Sequence, residues 1–508
     1  MAARKFVCTL FLFHFLLVAL LEICLAGTPV KYLPGFKGPL PFELETGYIG
    51  VGQSEEVQLF YYFIKSESQP KVDPLLLWLV GGPGVSALYS IAFEIGPIRF
   101  DAREYNGSLP TLSYHPYGYT KAASIIFLDS PVGSGFSYAT NQNGKHSNPL
   151  LASEHIYQFL RKWLIENPSY QSNDFYVGGD SYGGIFVPIT TQLISDDIEG
   201  GIEPRVNLKG YILGNPVTFH GQVNYRIPFA HGMALISDEL YEAFVRHCGG
   251  EYEDIDPRNT ICLQHVNSFK KLLKGIDEHH ILEPVCEPIS LELDDKFEKL
   301  KKCRSLDTHC EGELYDDIAH DLQQIDTYQK LLNGIYDEHH IQEPVCDEFE
   351  KLKSPSYLPG MKCRDDWVNL SVFWANDNIV QQALHVRKGT IREWTNWNQQ
   401  LAFTKSINNT IPYHAYLSTK SYRSLIYSGD HDLIIPYQST KWWIRSLNYS
   451  IVEEWRAWTY TGQIAGYTAT YSNGMTYATL KGAGHTAPEW KPAECLAILK
   501  RWLSHEPI

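Results

Sequence analysis

The chain has 508 residues, 44% of them hydrophobic and 20% charged, with 43 Lys and Arg set against 58 Asp and Glu for a formal net charge of −15. This composition fits a folded chain with a sizeable core, built as one enlarged domain or two, and excludes the disordered and collagen-like classes. The negative balance argues against nucleic acid as a partner, because phosphates demand a basic surface, and leaves neutral or cationic small molecules.

At the amino terminus Arg4 and Lys5 precede an apolar run from Phe6 to Leu21, and Cys24-Leu25-Ala26 places small residues where a signal peptidase reads. Residues 1–26 are therefore expected to be a cleaved signal peptide. His14 and Glu22 inside the stretch weigh against a retained membrane anchor. No later segment is long and apolar enough to span a bilayer, so no membrane contact is expected once the leader is gone. The expected route is secretory, ending in the vacuole or outside the cell, with N-x-S/T glycosylation candidates at Asn106, Asn369, Asn408 and Asn448.

Along the mature chain, Tyr48 to Ile64 alternates as a hairpin does. Leu75 to Val80 is a continuous apolar run, typical of a strand buried on both faces. It stops at Gly81-Gly82-Pro83-Gly84, which is either a plain connection or a turn that brings backbone N–H groups close to a reacting oxygen. A second buried run, Ser124 to Leu128, ends in Asp129-Ser130-Pro131-Val132-Gly133, and Ala152 to Glu166 has amphipathic helical spacing. Phe175-Tyr176-Val177 then breaks into Gly178-Gly179-Asp180-Ser181-Tyr182-Gly183-Gly184, and Ile185, Ile189 and Leu193 resume with helical spacing. Gly179 to Gly183 matches G-x-S-x-G, in which a strained strand-to-helix turn lifts a serine hydroxyl from the end of a sheet. Chance alone supplies about 0.2 such matches in a chain of this length, but the strand before and the helix after are the context that the motif requires. Leu208 to Leu213 is the next strand, closed by Gly214-Asn215-Pro216. Strands alternating with helices mean a mainly parallel α/β sheet.

From about Thr218 to Leu370 the pattern changes. Charge density rises, strand-like runs vanish, and Cys248, Cys262, Cys286, Cys303, Cys310, Cys346 and Cys363 crowd together. In an oxidising compartment this reads as a disulfide-stapled helical lid, residues 218–370, inserted between core segments 27–217 and 371–508. His279-His280 and His339-His340 raise the question of a metal, but no C-x-x-C or H-E-x-x-H spacing accompanies them, and neither metal nor cofactor is expected. The region also repeats itself. Lys271 to Ile276 returns at Lys330 to Ile335, Asp277 to Cys286 at Asp337 to Cys346, and Phe297 to Lys301 at Phe349 to Lys353. Two copies fall short of a solenoid; a local duplication and an error in the assembly of the chain both explain them.

The sheet resumes with Arg423 to Ser428, ending in Gly429-Asp430-His431-Asp432, and Thr476 to Leu480, ending in Gly482-Ala483-Gly484-His485. A serine, an acid and a histidine in that order, each past the carboxyl end of a strand, meet the requirements of an α/β-hydrolase triad, here with the inserted helical lid. His485 is the type of residue that takes the proton from Ser181 and returns it to a leaving group, while Asp432 orients the ring.

Trp78 to Gly84, Gly179 to Gly184, Phe373-Trp374-Ala375-Asn376, Gly429 to Asp432 and Gly484 to Glu489 resemble the serine carboxypeptidase family across the mature chain, the duplicated lid segment excepted. The resemblance implies a triad of Ser181, Asp432 and His485 and an oxyanion hole formed by the N–H groups of Gly82 and Tyr182. Asp430 is the runner-up acid, at a family position that is not catalytic. Family peptidases carry Asn at Val80 and Glu at Asp180; with the position matching Glu94, these groups hold the substrate's terminal carboxylate. Val80 offers no hydrogen bond, and Asp180 is one methylene shorter. The Asp-Ser-Tyr-Gly run, Ser428 to Asp432, and Trp455 to Met475 resemble instead the plant acyltransferase branch. That branch implies a 1-O-acyl glucose donor and a hydroxyl acceptor as small-molecule partners, with ping-pong chemistry. A carboxypeptidase and a non-catalytic binding relative are the other readings. Most relatives have a cysteine, bridged to the lid, where this chain has Val85. If Cys495 is a buried thiol, seven lid cysteines remain and one is expected to lack a mate.

Overall fold

The structure is a computed structural model in which residues 27–101, 108–283 and 364–508 are described. Strands β1 (Gly27–Val30), β2 (Leu44–Val51) and β3 (Val57–Ile64) run antiparallel, and β2 with β3 is the hairpin that the alternation over 48–64 predicts. After β4 (Leu75–Leu79), strands β5 (Ile98–Phe100) and β6 (Leu112–Tyr114) form a small sheet of their own. Next come β7 (Ser124–Leu128), the short β8 (Tyr138–Ala139), helix α1 (Pro149–Glu166), β9 (Phe175–Asp180), helix α2 (Gly183–Glu199) and β10 (Leu208–Gly214). Beyond the insertion lie β11 (Arg423–Gly429), β12 (Ile451–Tyr460), β13 (Gln463–Tyr471) and β14 (Met475–Leu480).

The large sheet has the order β1-β2-β3-β7-β4-β9-β10-β11-β14-β13-β12, with β8 beside β3. The block β7-β4-β9-β10-β11-β14 is parallel, and antiparallel strands flank it on both sides. Every residue of β4, β7, β9 and β14 is buried, which is why these segments read as unbroken apolar runs rather than as alternation. The chain leaves β4 toward β7 on one side and returns to place β9 on the other. That reversal opens a crevice outside the carboxyl ends of β4 and β9, where ligands of open α/β sheets bind.

Each face of the sheet carries its own apolar layer. One holds Trp78, Leu88, Ile91, Trp374, Trp394, Trp458 and Trp502; the other holds Leu77, Phe159, Trp163, Ile185, Phe186 and Trp443. Helix α1 covers the second face. It starts at Pro149, whose missing N–H costs nothing there, with the Asn148 side chain accepting from Leu151 N. Its Ala152, Ile156, Phe159, Leu160 and Trp163 recur at helical spacing and are buried.

The described part of the insertion is helical, with α3 (Arg226–Gly232), α4 (Asp238–Cys248) and α5 (Thr260–Leu272). Ser237 caps α4, Asp238 and Glu239 fill its first turn, Arg246 and His247 its last, and Gly249 at φ +63° ends it. A separate cluster of Phe229, Phe244, Cys248, Cys262, Phe269 and Ile281 forms the core of the lid, and Leu433, the residue after Asp432, is buried in it. Full burial of such a leucine contributes about 1.5–3 kcal/mol, so the lid's own core grips a loop of the sheet domain. Cys248 and Cys262 are joined by a disulfide. The remaining lid cysteines, the second copy of the repeat, the expected leader and Asn106 lie outside the described residues. The expected boundary at 370/371 falls inside helix α6 (Arg364–Ala375), whose Leu370 and Trp374 are packed in the main core.

Cys495, on the last helix (Pro492–Leu503), is a fully buried free thiol. Val85 pairs across an isolated antiparallel bridge with Trp397. Trp397 lies downstream of the lid insertion. Asn369, Asn408 and Asn448 are exposed. Among the described residues, no helix is long and apolar enough to cross a membrane, and no three His, Cys, Asp or Glu side chains are grouped to hold a metal.

Peptide mapping without reduction is expected to recover Cys248 and Cys262 as one linked pair and to alkylate Cys495 only after unfolding. Replacing Cys248 and Cys262 with alanine removes a short closed loop worth about 3 kcal/mol. Amide exchange over 238–272 is expected to speed up while that of β4 and β9 does not.

Candidate active site

Strand β9 ends at Asp180 and helix α2 begins at Gly183, so the chain turns within two residues. Ser181 occupies the left-handed region at φ +51°, a conformation costing on the order of 1–3 kcal/mol for a residue with a side chain. It is pinned there by Ser181 N donating to Gly214 O at 2.9 Å and Val217 N donating to Ser181 O at 2.8 Å. The glycines of G-x-S-x-G have a steric reason. A Cβ on Gly179 or Gly183 would stand 2.3 or 2.5 Å from the Leu79 carbonyl oxygen. Gly81 is equally constrained, since its Cβ would stand 2.5 Å from that of Ser181.

His485 and Asp432 converge on this turn from the carboxyl ends of β14 and β11. His485 Nε2 lies 2.8 Å from Ser181 Oγ, and His485 Nδ1 lies 2.7 Å from Asp432 Oδ2. Asp432 is fully buried, and its carboxylate survives there because four donors surround it. Besides the imidazole, Asn215 Nδ2 donates to Oδ2 at 2.7 Å, and Ile434 N and Ile435 N donate to Oδ1 at 2.7 and 3.1 Å. Asn215 in turn accepts from Gly429 N at 3.1 Å, tying β10 to β11 beneath the acid. Asp430 faces elsewhere, with Oδ1 2.6 Å from His431 Nδ1 and accepting from Gly482 N at 2.7 Å. Only the second acid of Asp-His-Asp reaches His485.

The N–H groups of Gly82 and Tyr182 have no acceptor among the described residues. The loop bearing Gly82 is held from several sides. Buried Asp129 accepts from Ser86 Oγ, Ala87 N and Phe136 N at 2.9, 2.7 and 2.8 Å, and burial still pushes its carboxyl up to about 6. Trp397 Nε1 donates to Pro83 O at 3.0 Å, and Asn398 N donates to Gly84 O at 2.9 Å.

Glu94 and Asp180 are both buried beside the turn. Desolvation first, and then the neighbouring Asp180 carboxylate, raise Glu94 well above the usual carboxylate range; desolvation raises Asp180 to about 6. As two carboxylates they would leave both Glu94 oxygens and Asp180 Oδ1 without a donor. A proton on Glu94 supplies the donor and removes the like-charge repulsion, so the pair holds at most one negative charge near neutrality. Val80, the third member of the expected clamp, is 3% exposed and donates nothing.

Sequence reasoning named the three groups that meet here. It missed Asn215, although its place after β10 in Gly214-Asn215-Pro216 was the available signal, and it missed His279. The His279 ring stands edge-on to that of His485, with centroids 5.7 Å apart, and its carbonyl accepts from His485 N at 2.7 Å. His280 stacks on His431 and packs at a tilt against Trp490. A hydroxyl, a base within hydrogen-bond reach and an acid orienting that base, beside two unpaired N–H groups, can carry out acyl transfer through a covalent intermediate.

A family model described as serine carboxypeptidase matches residues 34–505. Serine carboxypeptidase-like 17 of Arabidopsis thaliana is 44% identical over 497 residues, covering 98% of this chain and 97% of that protein. Serine carboxypeptidase-like 11 of the same plant is 46% identical over 484 residues, covering 95% of each. Among solved structures, the prohormone-processing carboxypeptidase Kex1Δp of Saccharomyces cerevisiae superposes with a TM-score of 0.67 at 16% identity, over 94% of this chain and 95% of that one. That likeness extends to the fold, an α/β-hydrolase sheet.

Replacing Asn215 with leucine removes one donor from the buried Asp432 and is expected to lower kcat by about 10- to 100-fold with little change in KM. Gly81→Ala, which forces Ser181 aside, is expected to lower kcat/KM by a comparable factor while the melting temperature shows a folded protein.

Proposed function

The chain belongs to the serine carboxypeptidase family, and from that premise we propose that it is a secretory-route acyltransferase, moving an acyl group from a 1-O-acyl glucose ester to a hydroxyl acceptor. Ser181 Oγ attacks the ester carbonyl as its proton passes to His485 Nε2, and Asp432 stabilises the imidazolium. The tetrahedral oxyanion is received by the N–H groups of Gly82 and Tyr182. His485 returns the proton to the departing C1 oxygen of glucose, leaving the acyl group on Ser181. An acceptor hydroxyl then gives its proton to His485 and takes the acyl group, and His485 Nε2 returns that proton to the departing Ser181 Oγ. Glycosylation at Asn106, Asn369, Asn408 and Asn448 and delivery to the vacuole or the exterior complete the proposal.

The observation that carries transfer over peptide cleavage is Val80 beside the Glu94–Asp180 pair. Near neutrality a peptide's terminal carboxylate would bring a negative charge to a pair that itself holds up to one, with an apolar side chain where the peptidases keep an amide. A site that loses a donor for a charged group discriminates against that group steeply. The carboxypeptidase reading draws on the same pair, since at acid pH protonated Glu94 and Asp180 can both donate to a carboxylate. Asp180 and Glu94 are thus the substrate-side residues in either reading.

The deciding experiment offers purified protein a phenolic acyl glucose, an alcohol and an N-blocked dipeptide together. Transfer predicts an ester product whose ratio to free acid rises with acceptor concentration, and loss of at least about 10⁴-fold in Ser181→Ala. Dipeptide trimming, with free-acid release indifferent to every acceptor, would overturn it.

The buried pair also sets a pH dependence of stability. Folded-state values raised above those of the unfolded chain mean that the fold binds protons that the unfolded chain has released above about pH 4.5. Stability is therefore fuller at acid pH and is lost as the pH rises through the folded values. Glu94→Gln is expected to gain melting temperature relative to wild type at pH 7.5, by on the order of a few degrees, and to lose that advantage at pH 5. An advantage independent of pH would contradict the assignment.

A further inference from the structure

We propose that His279, held by Asp277, is a positioning residue that acts through His485, so that the lid sets how far into the acid range the serine can still be activated. The inference rests on reading Ser181, His485 and Asp432 as the reacting triad. The lid segment 277–283 is wedged between the two loops that bring Asp432 and His485. His485 N donates to His279 O at 2.7 Å, Leu433 N to Glu278 O at 3.0 Å, and Ile281 N to His431 O at 3.1 Å. His280 Nε2 reaches Gly482 O at 3.3 Å, Trp490 Nε1 donates to Glu283 Oε1 at 3.0 Å, and Arg226 of α3 pairs with Glu278. The approach is close enough that Gly484 admits no side chain, since a Cβ there would lie 2.2 Å from His279 O.

In this seat the His279 ring meets the His485 ring edge-on and is turned by Asp277, whose Oδ1 lies 3.1 Å from Nδ1. Around it stand Asp277 on its own segment, His485 and Glu489 after β14, and Asp432 after β11, with the Arg226–Glu278 pair behind. Partial loss of water disfavours its charge, but the Asp277 hydrogen bond and the Asp277, Asp432 and Glu489 carboxylates outweigh that, and the net shift is upward. Under mildly acidic conditions His279 is thus a cation next to the base. A cation there opposes a second one on His485 and keeps the base neutral at lower pH. At a separation near 6 Å and an effective dielectric between 20 and 80, one such charge displaces a titration by about 0.5–2 pH units. Asp277 offsets part of this, which favours the lower figure.

The test follows the rate at which an aryl phosphonate ester labels Ser181, from pH 4 to 8. The Ser181 Oγ–P bond forms, the P–O bond to the aryl group breaks, one phenolate leaves, and the proton passes to His485. This readout does not depend on which ester or peptide is the natural substrate. In His279→Gln, which keeps a side chain able to bond Asp277, the acid limb is expected to move up by about 0.5 unit or more. His279→Arg, which keeps a positive charge beside His485, is expected to leave the limb within about 0.3 unit of wild type, with a cooperative melting transition reporting folding of both. An acid limb unmoved in folded His279→Gln, or moved as far in His279→Arg as in His279→Gln, overturns the proposal even if overall rates fall. Failure of wild type to be labelled would instead overturn the triad reading on which the proposal rests.

Discussion

The buried carboxylate of Asp432 is the constraint on which the rest depends. A charge with no exposure is tolerable only with its lone pairs filled, and filling them draws donors from β10 through Asn215, from the loop after β14 through His485, and from the main chain at Ile434 and Ile435. Those donors are in register because β10, β11 and β14 are neighbours in one parallel block whose carboxyl ends point the same way. Once His485 is fixed, the left-handed turn at Ser181 has its partner, and the glycines at 81, 179 and 183 follow from the need to bring Leu79, Ser181 and α2 into contact.

The lid is part of this arrangement rather than a cover laid over it. Leu433 is buried in the lid's apolar cluster, and the segment 277–283 bonds to both loops that carry the triad's acid and base. A lid attached in this way brings the His279 ring against that of His485. The loop bearing Gly82 is braced independently. Asp129 and Trp397 hold it on the far side.

A different pair of acids is buried beside the turn at Ser181. Glu94 and Asp180 share a site too dry for two charges, and Val80 beside them is apolar. The same triad serves water, an amine or an alcohol. Selection therefore falls to the groups that meet the rest of the substrate.

Much of this was legible before folding. The runs Leu75 to Val80, Ser124 to Leu128 and Thr476 to Leu480 announced buried parallel strands because two-sided burial leaves no polar positions, and Ser181, Asp432 and His485 were legible because strand ends are punctuated by glycine. Spacing alone left Asp430 and Asp432 as rivals, since both stand at the end of β11; the structure separates them by which oxygen faces the imidazole. Asn215, His279 and the pairing of Val85 with Trp397 were invisible for a common reason. Each is defined by a neighbour roughly 200 or more residues away, or across an isolated bridge, and a pattern read along one strand of chain carries no information about such contacts. Local periodicity thus determined the elements and the chemistry at their ends, and only the tertiary packing decided which of those ends touch, because contact between distant segments depends on sheet order and lid docking rather than on any residue's nearest neighbours in sequence.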